Sequence, residues 1–155
     1  MNLDEQPGTV IVTDAGTGKY TQQVTAGQHM SLADEPVASG GDDAGPTPYD
    51  LLLAALGTCT AMTLRMYADR KGIPLKGTTV RLRHDRIHAQ DCEDCETEKG
   101  LLSQITRDIH LEGELNDDQR VRLMGIADRC PVHRTLTSEI VVRTQEVDGR
   151  GGRVS

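Results

Sequence analysis

The chain has 155 residues, with 17 Lys and Arg against 24 Asp and Glu, for a formal net charge of −7. It has three Tyr and neither Trp nor Phe, so its core must be Leu, Val, Ile, Met and Ala. The length suits one domain that buries its own core; the acidic balance disfavours a phosphate-binding surface and the lack of aromatics disfavours base stacking, so no nucleic-acid partner is expected.

In chain order, Thr9 to Thr13 is β-branched and reads as a strand. Ala15 to Gly18 is a turn, and Tyr20 to Ala26 completes a hairpin. His29 to Ala33 is a third strand. Asp34 to Pro46 gathers acids, Gly and Pro into a surface loop, where the pairs Asp34-Glu35 and Asp42-Asp43 read as solvated charge. Thr47-Pro48-Tyr49-Asp50 is a helix start, with Thr as N-cap, Pro at the first helical position and an acid at the third. From Leu51 the run LLLAALGTCTAMTLRMYADRKG is rich in helix formers and ends in a basic last turn with a glycine stop. A helix apolar all round is buried on every side. A central helix is therefore expected, with sheet on one face and protein, a second subunit included, on the others. Met62, Met66 and Met124 read as core filler.

Thr78 to Ala89 alternates, with Val80, Leu82 and His84 on one face and Arg81, Arg83 and Asp85 on the other, as in a half-buried strand. Asp91 to Glu98 is an acidic loop. Ile105 to Glu112 alternates again, Ile105, Ile109 and Leu111 inward and His110 outward, and Arg107 breaks the inward face. Asn116-Asp117-Asp118-Gln119 is a second capping-box start, for a helix through Val121, Leu123, Met124, Ile126 and Ala127. Cys130-Pro131 opens a short helical turn. Ser138 to Val147 reads as a last strand. The order predicts an α+β fold rather than a doubly wound sheet. Residues 1–147 form one domain in this reading, and 148–155 a flexible Gly/Arg-rich tail.

The longest charge-free stretch, Leu51 to Leu64, is 14 residues, too short to span a bilayer. The start MNLDEQPG is polar and acidic, unlike a signal peptide. The expected setting is the cytoplasm, without a membrane partner, where four cysteines stay mostly reduced. Cys130 lies at a helix N-terminus, where unpaired N–H groups and the helix dipole favour thiolate, and His133 and Arg134 follow one turn on. The alternative is a small apolar residue continuing a face with Leu123 and Ala127. Cys59 lies mid-helix, where burial alone makes a thiol inert and core packing is the ordinary role; reaction would require a cationic or hydrogen-bonding neighbour from elsewhere in the fold.

The run Gly45-Pro46-Thr47-Pro48-Tyr49-Asp50-Leu51-Leu52-Leu53-Ala54-Ala55-Leu56-Gly57-Thr58-Cys59 resembles the signature of the OsmC/Ohr family, and Cys130-Pro131-Val132-His133-Arg134-Thr135-Leu136 is similar to its second motif. The resemblance implies an OsmC-like α+β fold, with antiparallel sheets around a long buried central helix and two chains intertwined as a homodimer. It implies thiol-dependent reduction of small organic hydroperoxides in oxidative-stress defence. Cys59 would attack the peroxide and become a sulfenic acid, and Cys130 would resolve it as a disulfide. A dithiol co-substrate, a lipoyl group among the candidates, would reduce the bridge, and no bound cofactor is required. The family's activating Glu falls on Tyr49, with Asp50 next to it, where helix capping competes with catalysis. No Arg precedes Arg65, so Lys19, His29, Arg134 or the partner chain would supply the cation.

Cys92 and Cys95 lie outside the family's catalytic set. With His84 and His88 they read H-x3-H-x3-C-x2-C, two nitrogen and two sulfur ligands of the kind zinc takes. All four reach one ion only if the strand ends early; Cys92 and Cys95 alone could supply half of a site shared across a dimer. The alternatives are a reversible local disulfide between them and an exposed loop without special chemistry. Their five acidic neighbours, Asp91, Glu93, Asp94, Glu96 and Glu98, would disfavour thiolates and slow attack on peroxide. Three functions compete on the sequence alone: a hydroperoxide reductase, a metal-binding or redox-sensing module at Cys92 and Cys95, and a non-catalytic OsmC-like dimer.

Overall fold

Glycine turns divide the first third of the chain into three short β-rich runs. These become strands β1 (Val10–Asp14), β2 (Gln22–Ala26) and β3 (His29–Ala33) of an antiparallel meander, in which Val12 faces Val24 and Val24 faces Ser31. The structure is a computed structural model and describes residues 7–150 and 152–154. The segment MNLDEQ, on which much of the signal-peptide reading rests, lies outside the described residues. The chain divides into two compact units, Met1–Leu51 with Val141–Ser155, and Leu52–Ile140.

In the first unit the loop after β3 is organised by Asp34. Solvated charge was expected there, but Asp34 is only 2% exposed. Its carboxylate accepts hydrogen bonds from the Glu35 N–H (2.8 Å), the Thr21 hydroxyl (3.0 Å) and the N–H groups of Asp42 and Ala44 (both 3.2 Å). Four donors converge because a loop without a ladder must satisfy its N–H groups otherwise. Gly45 passes so close to the Leu32 carbonyl that a Cβ would collide with it. Ser138 to Val147, expected as a strand, forms no ladder, and Val142 is 83% exposed. β-propensity expresses itself only against a partner edge, and among the described residues this segment has only the Val147–Arg153 bridge. Beyond it, Asp148 holds a turn by accepting from the N–H groups of Arg150 and Gly152.

Helix α1 (Pro48–Lys71) has the limits its capping signals predict: Asp50 donates its N–H to the Thr47 hydroxyl and its carboxylate accepts from the Thr47 N–H. The second unit holds the greater part of α1, strands β4 (Leu75–His88) and β5 (Leu101–Gly113), and helices α2 (Asp117–Ala127) and α3 (Pro131–Leu136). β4 and β5 pair antiparallel along nearly their whole length, with Leu82 opposite Arg107 and His88 opposite Leu101. The predicted alternation holds: Val80, Leu82 and His84 are half-buried, while Arg81, Arg83 and Asp85 are exposed. The core joins Leu64 and Ala68 of α1, Ile73, Leu75 of β4, Leu111 of β5, and Leu123 and Ala127 of α2. Gly57 lets α1 press onto β4; a Cβ there would meet Leu82 Cδ1 at 2.8 Å.

Burial of α1 on every side is not what the single chain shows. The helix buries one stripe, Leu56, Thr60, Leu64 and Ala68, with Gly57 beside it, at the i, i+4 spacing that shares a face. Met62 (60% exposed), Met66 (68%) and Met124 (43%) lie outside the core and do not fill it. Apolar composition identifies these side chains as buriable; which of them one chain buries depends on what it packs against them.

Candidate thiol site

Two different local rules place the two thiols. Cys59 is fixed by α1, one residue before the buried Thr60, and is half-buried. Cys130 is fixed by the turn between α2 and α3. As N-cap of α3, ahead of Pro131, it has extended backbone, and its Sγ accepts from the His133 N–H at 3.3 Å. Its N–H bonds back to Ala127 O at 3.4 Å. The side chain is wholly buried, at 0% exposure. The Cys59 side chain lies near enough to help lower the Cys130 thiol.

Thr60 lies beneath this pair. Its Oγ1 is 3.8 Å from Cys130 Sγ, donates to Leu56 O at 2.7 Å, and accepts from Arg107 Nη1 at 3.0 Å. A hydroxyl has one proton. While it is given to Leu56 O, the Cys130 S–H can donate to Oγ1; once Cys130 ionises, the same proton can turn toward the sulfur. Thr60 thus serves either protonation state.

Arg107 completes the site. The guanidinium donates through Nη1 to Ala127 O at 3.3 Å and through Nη2 to Asp128 Oδ1 at 2.6 Å. Its side chain is 11% exposed. Ala127 and Asp128 end α2, where carbonyls lack helical partners and a cation is favoured. One side chain therefore ties β5 to the end of α2 and reaches the hydroxyl beneath the thiols. Burial pushes the Cys130 thiol up. The His133 N–H, the Cys59 thiol, Thr60 and the Arg107 charge outweigh it, and Cys130 titrates below the ordinary thiol value. The Arg107 charge is the smallest of these contributions, consistent with Asp128 offsetting it.

The sequence reading named other groups for the cation and the acid. Asp50 spends its carboxylate on the Thr47 cap, whose hydrogen bonds hold it below the usual carboxylate range. Arg134 is exposed on α3, and its backbone N–H closes the first turn on Cys130 O. Lys19 lies over the Tyr20 ring, 5.0 Å from its centroid, and His29 is exposed at the start of β3. Arg107 was not named, but its signal was visible: a lone charge at an inward position of an alternating strand needs buried partners.

An open apolar depression of about 250 Å³ lies between α1 and β4, lined by Ala54, Gly57, Thr58, Ala61, Val80 and Leu82. Neither thiol lines it. Cys92 and Cys95 are joined in a disulfide with Cα atoms 5.6 Å apart, and their sulfurs lie within 4.8 Å of the Asp94 carboxylate. His84 and His88 both stay in the β4 ladder, opposite Ile105 and Leu101. The strand does not end early, so the two histidines do not join the two cysteines.

The fold that carries these two cysteines has a wider likeness. The profile of the family described as OsmC-like protein matches residues 40–145, which contain both thiols. The chain belongs to the OsmC-like family. Solved structures share the fold. One is a Psychrobacter arcticus protein described as an osmotic stress induced and detoxification response protein (22% identity, 84% of this chain and 89% of that one, TM-score 0.65). Another is an organic hydroperoxide resistance protein OsmC from Legionella pneumophila (20%, 86% and 92%, TM-score 0.59). A third is the organic hydroperoxide resistance protein OhrB of Bacillus subtilis (19%, 83% and 90%, TM-score 0.56). No curated protein matches the chain in sequence. The OsmC-like fold is thus a mixed α+β arrangement of antiparallel sheets and one long helix, as expected.

Proposed function

We propose that this OsmC-like protein reduces organic hydroperoxides through Cys59 and Cys130. The observation that carries the reading is the wholly buried Cys130 beside Thr60, which Arg107 holds, with the Cys59 side chain near enough to help lower the thiol. The half-buried Cys59 is the more accessible and takes the attacking role. Its thiolate attacks the distal peroxide oxygen; the O–O bond breaks, the alkoxide leaves and takes a proton, and Cys59 becomes a sulfenic acid. Cys130 then attacks that sulfur, releasing water and closing a disulfide. A dithiol reductant, a lipoyl group among the candidates, reopens the bridge by two exchange steps. Titrating below the ordinary thiol range suits Cys130 to the second step, because a resolving thiolate must reach the sulfenic acid before a further peroxide does. No bound cofactor or metal enters these steps. A reducing compartment such as the cytoplasm keeps the pair ready, and the resemblance implies that the working form is a homodimer.

The test is peroxide consumption with cumene hydroperoxide and a dithiol. Wild type is expected to turn over, Cys59→Ser to lose turnover, and Cys130→Ser to accumulate a dimedone-reactive sulfenic acid on Cys59. Equal consumption by wild type and Cys59→Ser defeats the proposal in favour of a non-catalytic family member.

A further inference from the structure

The β4–β5 hairpin ends in a loop whose chemistry the site above does not use. Ala89 donates its N–H to Gly100 O at 2.9 Å and Cys92 donates to Ala89 O at 3.2 Å, closing the hairpin end around Cys92 and Cys95. The two sulfurs are half-buried and bonded to each other, while Asp91, Glu93, Asp94, Glu96 and Glu98 around them are all exposed, with only Lys99 opposing them in the loop. Arg107, at the first thiol site, and Leu101, at the hairpin end, are six residues apart in one strand, or about 20 Å at ~3.3 Å per residue. Two cysteines exchange directly only when their Cα atoms come within about 7 Å. Within one chain the two pairs therefore work separately.

We propose that Cys92 and Cys95 form a second dithiol–disulfide couple, whose acidic loop selects cationic thiol or disulfide partners over anionic ones. In the oxidising direction one thiolate attacks a sulfur of a small disulfide, forms a mixed disulfide and releases one thiol. The second cysteine attacks the protein-side sulfur, closes Cys92–Cys95 and releases the other thiol. Two electrons pass from the protein to the small disulfide, and a dithiol reverses both steps. Fixed negative charge around the sulfurs raises the local concentration of a cationic partner and lowers that of an anionic one.

The experiment compares cystamine (cationic) with glutathione disulfide (anionic) as oxidants of the reduced chain. Closure of Cys92–Cys95 is followed by peptide mass mapping after alkylation. Mapping on wild type reads this pair separately from Cys59 and Cys130, and a Cys59→Ser/Cys130→Ser chain isolates it. The rate ratio of cystamine to glutathione disulfide is read against the same ratio in Glu93→Gln/Asp94→Asn/Glu96→Gln, which cancels the intrinsic difference between the two oxidants. We expect the wild-type ratio to be about tenfold higher at low salt, and most of that difference to vanish at about 0.5 M salt. Equal ratios in the two proteins overturn the proposal. So does an end point in which both cysteines carry separate mixed disulfides, or a reduced pair that holds one zinc per chain and resists both oxidants.

Discussion

At the residue scale the site depends on one guanidinium with several tasks. Arg107 holds the end of α2, supplies a hydrogen bond to Thr60 and adds positive charge near Cys130. Arg107→Met keeps the stem and removes the donors. We expect it to cost about 1–2 kcal/mol, because hydrogen bonds from a charged group are lost but the Asp128 partner is largely solvated. It should also move the Cys130 titration up, measured by pH-dependent absorbance of the thiolate in a Cys59→Ser background. The sign for stability follows from linkage. Between the lowered folded value and the ordinary unfolded value of about 8.5, the folded thiol is ionised and the unfolded one is not. Stability of the reduced protein from this group therefore rises with pH through that window and is lost as pH falls through the folded value. Urea unfolding at a series of pH values is expected to show that rise in wild type and a smaller one in Arg107→Met.

At the element scale the loop after β3 and the stripe of α1 make separate predictions. Burial pushes the Asp34 carboxyl up, but the N–H groups of Glu35, Ala44 and Asp42 and the Thr21 hydroxyl bring it below 3.8, its ordinary value. Its stabilisation is present above the unfolded value and is lost as pH falls through the folded one. Amide exchange at Asp42 and Ala44, corrected for intrinsic rates, is expected to keep its protection through the ordinary carboxylate value of 3.8 and to lose it only at lower pH. Asp34→Asn should lack the protection even at neutral pH, and unchanged protection in that variant would remove the carboxylate from its organising role. On α1, Leu64 is wholly buried, at 0% exposure, so Leu64→Ala should cost about 2–5 kcal/mol in denaturant unfolding. The helix has 24 residues and an 18-residue window of mean hydropathy 1.3, enough by length and composition to cross a bilayer, although its charge-free stretch is shorter. Leu64 and Ala68 of its buried stripe pack into a protein core that includes β4, β5 and α2.

At the scale of the whole molecule, the second unit alone contains both catalytic candidates and Arg107. It also leaves Met62, Met66 and Val121 (73%) exposed. Soluble surfaces rarely leave large apolar side chains clustered in the open, and the proposed homodimer would cover the α1 methionines with a second copy. Light scattering on a sizing column is expected to give twice the 16.9 kDa chain mass. Met62→Glu/Met66→Glu should shift the mass toward that of one chain. A monomeric wild type would count against the dimer without touching the thiol chemistry.

The sequence by itself determined what depends on neighbours along the chain. The Thr47–Asp50 and Asn116–Gln119 caps, Pro131 after Cys130 and the alternation of β4 set where elements begin and which face each presents, because caps and periodicity act within a few residues. Two motifs were enough to suggest the family and to single out Cys59 and Cys130. Tertiary structure decided what requires a partner from elsewhere. Ser138 to Val147 had the composition of a strand but found no ladder edge, and Asp34 looked like solvated charge until four donors closed on it. The α1 methionines looked like core until one chain proved unable to cover them. The cation of the thiol site came from β5, far along the chain, because an inward guanidinium is stable only where a helix end, a hydroxyl and a carboxylate meet it together, and only folding brings those three to one point.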